Sequence, residues 1–211
     1  MINNFPDNYR LVVSPDDYEK KLDLEDRRLY LAQEIRAFDA DEMTGDMSLC
    51  SYLADVILAY NREDKGIAPE DRKPIRLYIN SPGGDVTEGF SLISAIKLSK
   101  TPIYTINVGV WYSMAFLIGI TGHKRFSLPC STFLMHEGHN LVWDSGSKAQ
   151  DKMDFDKRFE LEVVKKHILE HSNMKSTEYD SLFRVEYYML PEDALERNFI
   201  DEIVTDIDTI L

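Results

Sequence analysis

Ser113 is the residue of this sequence whose surroundings best suit nucleophilic chemistry. It lies in the stretch VGVWYSMAFLIG (residues 108–119), between two aromatic residues and an apolar run. A serine at the start of a predicted helix is most often only a helix cap. A nucleophilic hydroxyl needs shelter from bulk water and a nearby N–H group for the anion that it creates, and the amide of Met114 is placed to supply that group. The stretch therefore raises the hypothesis of a serine nucleophile.

A second feature, the segment SPGGD (residues 81–85), has the composition of an anion-binding turn. It follows a predicted strand and precedes a predicted helix. Two glycines at such a place let backbone N–H groups point at a small oxygen anion, and the start of the helix adds positive potential. The ordinary alternative is a plain strand-to-helix turn, which Gly-Gly alone does not exclude.

A serine nucleophile needs a base, and the five histidines differ in how well they suit that role. His136 ends the apolar run STFLM, at the carboxyl end of a predicted buried strand, where a side chain can project into a cleft. His139 follows three residues later and is the second candidate. His167 and His171 lie on or just after a charged helix and are expected to face solvent, while His123 lies in a turn. His136 is therefore the preferred base.

The elements that must position these residues alternate between strand and helix. The spacing of apolar residues predicts strands at 27–35, 75–80 and 102–109, two short pieces within 124–138, and a last one in IDEIV. Helices are predicted at 47–64, from 86 to about 100, at 113–122 after a turn at Gly109, from about 147 to 170, and in PEDALERNF from Pro191. This alternation predicts an α/β domain with parallel strands.

Composition limits the functions that the chain can have. Its 211 residues are 44% hydrophobic, which is enough for one core, and the formal net charge of −13 argues against nucleic acid as a partner. Two cysteines, Cys50 and Cys130, suggest neither a disulfide framework nor a zinc site. The sequence shows no signal peptide or membrane span, so a cytoplasmic protein without a membrane partner is predicted.

Four ordered motifs with compatible spacing resemble one known family. They are INSPGGDVTEGFSLISAI, then G-x-x-x-S-M-A at 109–115, then KRFSLPCSTFLMHE, then PEDALERNFIDEIV. Together they resemble the proteolytic subunit of the Clp protease, the ClpP family of serine peptidases, over roughly residues 25 to 205 with gaps near 61–73. The resemblance implies a crotonase-like α/β fold of repeated β-β-α units, with residues 23–208 as one peptidase domain after an N-terminal arm at 1–22.

The resemblance also implies an assembly. Family members form heptameric rings that stack face to face through a strand and long helix called the handle, which corresponds here to about 139–171. Independently of the resemblance, apolar residues along the helix at 147–170 predict contact with another subunit. The chain is thus expected to be a homo-oligomer, a heptamer or a stacked tetradecamer.

Carried over residue by residue, the resemblance implies a Ser-His-carboxylate triad. Ser113 is the nucleophile, His136 the base, and the amides of Gly84 and Met114 the oxyanion hole. Counting back from PEDALERNFID, the aspartate of the family falls on Glu186, which can orient an imidazole if the backbone shifts to accommodate its extra methylene. Asp180 is the alternative carboxylate.

Two departures from the family pattern qualify this prediction. The two residues before the serine, which are usually small in the family, are Trp111 and Tyr112. Either they pack in the core or contact another subunit of the ring, or they narrow the substrate groove. The arm before Leu22 does not match the axial loop with which the family docks its ATPase. A Clp-type AAA+ ATPase is therefore a candidate partner whose binding the sequence leaves open.

The predicted function is that of a serine endopeptidase that cleaves peptides or unfolded proteins inside an oligomeric chamber and needs no metal or other cofactor of its own. A catalytically silent ring component, with the fold kept for assembly, is the alternative. An acyl-CoA enzyme of the crotonase group is a third hypothesis, but it fits poorly because it predicts a basic CoA-binding surface and no nucleophilic serine.

Overall fold

A seven-stranded sheet organises the part of the chain that the computed structural model describes, residues 26–37, 48–138 and 145–211. The strands run in the order β1-β2-β3-β4-β7, with β5 beside β3 and β6 beside β5. All pairs are parallel except β5 with β6. The strands are β1 (Arg28–Leu31), β2 (Ile75–Ser81), β3 (Ile103–Tyr112), β4 (Lys124–Ser127), β5 (Thr132–Met135), β6 (Tyr187–Met189) and β7 (Glu202–Ile203).

The helices confirm the predicted α/β alternation. They are α1 (Leu49–Glu63), α2 (Val86–Leu98), α3 (Met114–Gly119), α4 (Gly146–Phe159), α5 (Lys165–Glu170), α6 (Ser176–Leu182) and α7 (Pro191–Glu196). A π-helical turn, Glu160–Val164, joins α4 to α5, so the predicted long helix is one continuous helical run. Short 3₁₀ turns occur at Pro69–Asp71 and Ile207–Ile210.

The length of β3 allows it to pair with two strands along the same edge. Its first half pairs with β4, from Tyr104 opposite Lys124, and its second half pairs with β5, from Val110 opposite Thr132. The chain leaves β4, turns at Pro129 and returns to β3 further along. This path carries the end of β5 to the level of the end of β3.

Alternation along the strands separates two apolar clusters. In β2, Leu77 and Ile79 belong to the main core, whereas Tyr78 belongs to a smaller cluster on the other side of the sheet, as a period of two requires. Helices α1 and α2 contribute Leu53 and Ile96 to the main core. Helix α3 is buried along its whole length, so the residue that precedes it is held against a rigid element.

Side-chain oxygens fix the starts of α1 and α2. Ser48 accepts a hydrogen bond from the amide of Ser51, and Asp85 accepts one from the amide of Glu88 at 2.8 Å. The Glu88 carboxylate in turn accepts hydrogen bonds from the hydroxyls of Ser48 and Ser51. The two helix starts are therefore tied together beside the segment that connects β2 to α2.

The predicted turn at Gly109 is wrong, because β3 continues through Tyr112. A Cβ atom at position 109 would lie 2.3 Å from Oδ1 of Asn80, which accepts a hydrogen bond from the Val110 amide at 3.1 Å. The register between β2 and β3 also shifts at this place, as in a β-bulge. The glycine is thus needed for the approach of a side chain from the neighbouring strand.

The prediction that His167 faces solvent is also wrong. His167 is 2% exposed, and its Nε2 lies 3.0 Å from the Leu117 carbonyl oxygen and 3.1 Å from Oγ1 of Thr121. It therefore fastens α5 to the end of α3. His171, one turn later, is half-buried, and its Nδ1 lies 2.7 Å from the His167 carbonyl oxygen.

Some features were not predicted, and some predictions fall on residues outside the described ranges. The sequence patterns did not indicate α6 or the antiparallel strand β6. The N-terminal arm at 1–22, the fallback base His139 and the first part of the handle lie outside the described residues. Within the described ranges, no helix combines the length and the apolar composition that crossing a membrane requires. Cys50 is buried and Cys130 is exposed, and both are free thiols.

Burial of His167 makes stability depend on pH. Desolvation lowers the pKa of His167 from about 6.5 to about 4. Between these values the unfolded chain binds a proton that the folded chain does not, so stability is present above pH 6.5 and falls as the pH drops towards 4. We expect this residue alone to account for a loss of about 2 to 3 kcal/mol across that window. Urea unfolding followed by tryptophan fluorescence at several pH values measures it.

The variant for this test is His167→Gln, with Lys166→Gln as the control on the exposed side of the same turn. The glutamine variant should show a flatter pH dependence than the wild type, and the control should match the wild type. If the free energy of unfolding depends on pH equally in the wild type and in His167→Gln, His167 is not the cause of the acid destabilisation.

Candidate active site

Ser113 occupies a sharp turn between β3 and α3. Its backbone angles are φ 55° and ψ −123°, a conformation that a non-glycine residue adopts only when the surrounding structure imposes it. Its amide donates a hydrogen bond to the Leu134 carbonyl of β5 at 2.9 Å. The side chain does not cap α3, so the ordinary explanation for a serine at a helix start does not apply here.

His136 leaves the sheet beside this turn. In the parallel pairing of β3 with β5, Tyr112 lies opposite Leu134, so Ser113 and His136 follow the ends of neighbouring strands at the same edge of the sheet. The His136 side chain is 16% exposed. Within the described residues the Ser113 hydroxyl makes no hydrogen bond, so the serine and the imidazole are neighbours in topology without being directly bonded.

Glu186 is brought to His136 by the antiparallel pairing of β5 with β6. Leu134 lies opposite Tyr188 and Met135 opposite Tyr187, and the next step of this register places His136 opposite Glu186. The Glu186 Oε1 atom lies 3.8 Å from Nδ1 of His136. This separation is longer than a hydrogen bond but suits an ion pair once the imidazole carries a proton.

Asp180, the alternative carboxylate, is engaged elsewhere. Its Oδ1 atom lies 2.5 Å from Nζ of Lys165, on α5. This ion pair joins Asp180 to α5 and leaves Glu186 as the carboxylate beside the imidazole. Of the two candidates from the sequence, the structure therefore places only Glu186 within reach of His136.

The glycine pair lies against the serine turn. Gly83 has a φ of +93°, and a Cβ atom there would lie 2.5 Å from the Tyr112 carbonyl oxygen and 2.8 Å from both the Met114 nitrogen and Cβ of Ser113. Gly84 has a φ of +141°, and a Cβ atom there would lie 2.0 Å from the carbonyl oxygen of Ile35. Neither position has room for a side chain, so glycine is required for the close approach of backbones.

Ile35 holds this turn in place from the far side. Its amide donates to the Gly83 carbonyl and its carbonyl accepts from the Asp85 amide, both at 2.8 Å. In the part of the chain that the structure describes, these bonds leave the amides of Gly84 and Met114 without an acceptor. Two unused N–H groups beside a serine are the donors that an oxyanion hole requires. No pattern in the sequence had indicated the role of Ile35.

Trp111 and Tyr112 point to opposite faces of the sheet. Trp111 is fully buried, and its ring meets Phe133 edge to face at 5.5 Å. Tyr112 is half-buried, and its hydroxyl lies 2.8 Å from Oγ1 of Thr132. The first therefore packs in the core, as one of the two interpretations from the sequence proposed, and the second lies on the face that carries His136 and Glu186.

The other described histidines have structural roles. His123 accepts a hydrogen bond from the Ile103 amide through Nδ1 at 3.0 Å, and burial lowers its pKa. His167 and His171 belong to the junction of α5 with α3. The described residues contain no group of three or more histidine, cysteine or acidic side chains arranged to hold a metal ion.

The chain is similar in sequence to subunits of known proteases. A family model described as Clp protease matches residues 67–206. The "ATP-dependent Clp protease proteolytic subunit 2" of Prochlorococcus marinus subsp. pastoris is 32% identical in an alignment 210 positions long, including gaps, that covers 93% of this chain and 92% of that protein. The "ATP-dependent Clp protease proteolytic subunit" of Streptococcus sanguinis is 29% identical in an alignment 150 positions long, including gaps, that covers 65% of this chain and 71% of that protein. The range that the family model matches contains Gly84, Ser113, His136 and Glu186.

Replacing Gly83 tests the fit between the glycine turn and the serine turn. In Gly83→Ala the new methyl group meets backbone atoms, and the positive φ adds strain. We expect a loss of at least about 2 kcal/mol of unfolding free energy, measured by urea unfolding, and labelling of Ser113 by a fluorophosphonate probe at least about tenfold slower.

Gly138→Ala is the control, because no described atom lies within 4 Å of a Cβ at that position. This variant should retain wild-type stability and labelling. A Gly83→Ala protein that unfolds and labels like the wild type would show that the two turns are not tightly packed.

Proposed function

The chain belongs to the Clp protease family, a family of serine peptidases, and we propose that it is an endopeptidase that uses Ser113, His136 and Glu186 as its catalytic triad. Its proposed substrates are peptides or unfolded proteins. The observation that carries the proposal is the strained backbone of Ser113, held against Gly83 at the end of β3. A serine with only a structural role has no need of that strain.

In the proposed mechanism Ser113 Oγ attacks the peptide carbonyl carbon while His136 takes the hydroxyl proton. The carbonyl oxygen becomes an anion that accepts hydrogen bonds from the amides of Gly84 and Met114. His136 then gives its proton to the leaving amine, and the C–N bond breaks to leave an acyl-enzyme. A water molecule, deprotonated by His136, attacks the ester and releases the second product and the free serine.

Glu186 has the role of the triad carboxylate in this scheme. It keeps the imidazole oriented and stabilises the imidazolium while the proton is held. The distance of 3.8 Å between Glu186 Oε1 and His136 Nδ1 must shorten for a hydrogen bond to form, and the Ser113 hydroxyl must come within bonding distance of the imidazole. Catalytic hydrogen bonds are often long in unliganded enzymes and tighten when substrate binds.

We also propose that the chain acts as a subunit of a closed ring assembly. Met153, Phe155 and Leu161, on the long helix, are at least half exposed, and α4 has no buried residue. Exposed apolar side chains on such a helix suit contact with another subunit. Both named relatives are subunits of an ATP-dependent protease. We therefore propose a stacked ring as the chamber and a Clp-type AAA+ ATPase as the partner that delivers unfolded chains.

Replacing the nucleophile tests the reaction type. In Ser113→Ala, hydrolysis of small fluorogenic peptides by the purified protein should fall by about a thousandfold or more, because no acyl-enzyme can form. Ser91→Ala, an exposed position on α2, should hydrolyse them like the wild type. Unchanged hydrolysis in Ser113→Ala would refute the assignment, and a wild type that does not react with a fluorophosphonate probe would favour the silent ring component.

Comparing the two carboxylates tests the third member of the triad. Glu186→Gln should reduce kcat by about a hundredfold or more, because a neutral amide neither stabilises the imidazolium nor selects the correct tautomer. Asp180→Asn keeps its shape, loses the ion pair with Lys165, and should stay within about twofold of wild-type activity. Peptide hydrolysis measured for both variants decides between them, and the opposite result would assign the role to Asp180.

A further inference from the structure

We propose that Tyr188 is a positioning residue for the triad: its hydroxyl holds one oxygen of Glu186 so that the other faces His136, and Tyr112 braces its ring. The inference rests on the proposed function, because it gives Glu186 a role in orienting the imidazole.

The two oxygens of Glu186 have separate partners. Tyr188 donates its hydroxyl hydrogen to Oε2 at 2.8 Å, and Oε1 lies 3.8 Å from Nδ1 of His136. The hydrogen bond to the carboxylate also raises the pKa of the Tyr188 phenol above its ordinary range. A bond from a phenol to an ionised carboxylate is charge-assisted and therefore directional. It fixes the rotation of the carboxylate about its terminal torsion.

Glu186 needs such a restraint. Its side chain is 57% exposed, and a glutamate has one more rotatable bond than an aspartate. The terminal torsion of glutamate is broad, so an exposed carboxylate samples many orientations unless a partner selects one. In the structure, the described residue that bonds to this carboxylate on the side away from His136 is Tyr188.

Tyr188 is itself held by Tyr112. The two rings meet edge to face with their centroids 5.9 Å apart, at an angle of 84°. The Tyr112 hydroxyl is anchored in turn 2.8 Å from Oγ1 of Thr132. Because Tyr188 is 57% exposed, its ring position depends on this contact and not on burial in the core.

Strand register explains why these side chains meet. Tyr112, Leu134 and Tyr188 lie opposite one another across β3, β5 and β6, so their side chains share one face of the sheet. Two residues along their strands, His136 and Glu186 share that face. A row of contacts thus runs from the residue before the nucleophile to the triad carboxylate.

This row accounts for two unusual features together. A glutamate replaces the aspartate that the family resemblance predicts, and a bulky tyrosine replaces a small residue immediately before Ser113. The longer carboxylate needs an additional hydrogen-bond donor, and that donor needs a brace. The tyrosine before the nucleophile is therefore part of the catalytic geometry and not only a wall of the substrate groove.

The first arm of the test removes one oxygen atom. In Tyr188→Phe the ring stays and the hydrogen bond to Glu186 is lost, so kcat for a fluorogenic peptide should fall about five- to twentyfold while KM stays within about twofold. Tyr187→Phe, the same change on the neighbouring residue of β6, is the control and should leave kcat unchanged. A rise in KM without a fall in kcat would overturn the inference, because it would make Tyr188 a substrate contact.

The second arm is a double-mutant cycle with Glu186→Gln. If Tyr188 acts through the carboxylate, Tyr188→Phe should change the residual activity of the Glu186→Gln protein by less than about twofold. If it contributes independently, the two losses should multiply, which would overturn the inference. Ultraviolet titration of each protein with and without Tyr188→Phe isolates the signal of the Tyr188 phenol. This phenol should ionise at lower pH in the Glu186→Gln protein than in the wild type.

The third arm concerns the brace. Tyr112→Phe keeps the ring and should lose less activity than Tyr112→Ala, which should reproduce the loss seen in Tyr188→Phe. Thermal unfolding shows whether the Tyr112→Ala protein is folded. If it is not folded, Tyr112→Leu replaces it as the variant without an aromatic ring. Equal activity of the folded aliphatic variant and the wild type would refute the bracing role.

These results separate the inference from the proposed function. A wild type that is active, a Ser113→Ala protein that is inactive and a fully active Tyr188→Phe protein would overturn the role of Tyr188 alone. A wild type whose residual hydrolysis is the same as that of Ser113→Ala would overturn the proposed function and this inference with it.

Discussion

The hydrogen bond from the Ser113 amide to the Leu134 carbonyl joins the end of β3 to β5 at 2.9 Å, and the geometry of the site depends on it. It closes the parallel ladder one residue beyond the strand and holds Ser113 at a positive φ. It also sets the level at which β5 ends, which places His136 beside the serine turn. From β5 the antiparallel pairing with β6 extends the same register to Glu186. The residues of the candidate triad thus flank three aligned strands: Ser113 follows β3, His136 follows β5, and Glu186 precedes β6.

The alternation of side chains lets these strands support the core and the site at once. On one face, Trp111 packs against Phe133 and holds the strands against the helices. On the other face, Tyr112 and Tyr188 lie beside the residues of the candidate triad. Because the strand period is two, a bulky residue at one position need not disturb the face that the next position serves. The two aromatic residues before Ser113 thus have different roles, although they are neighbours in sequence.

The long helix contacts the helix that follows the candidate nucleophile. His167 on α5 contacts the carbonyl of Leu117 in α3, and α3 begins directly after Ser113. The turn that holds the nucleophile is therefore packed on one side against Gly83 and fastened on the other to the base of the long helix.

The residue patterns alone predict the α/β class, most of the strands and helices, and the family, and the family resemblance adds candidate roles for Ser113, His136, Gly84 and Met114. These predictions follow from local periodicity and from ordered motifs, which depend on residues close together in the chain.

The sequence left open the choice between Glu186 and Asp180, and the predictions for Gly109 and His167 were wrong. It is the folded chain that shows Glu186 beside His136, Gly109 making room for Asn80, and His167 buried against α3. Each of these depends on a partner from a distant part of the chain, whose position is set by strand register and helix packing. The alternation within a strand assigns side chains to faces but does not select their partners, because a slip of two residues between strands would change every such contact and leave each side chain on its face.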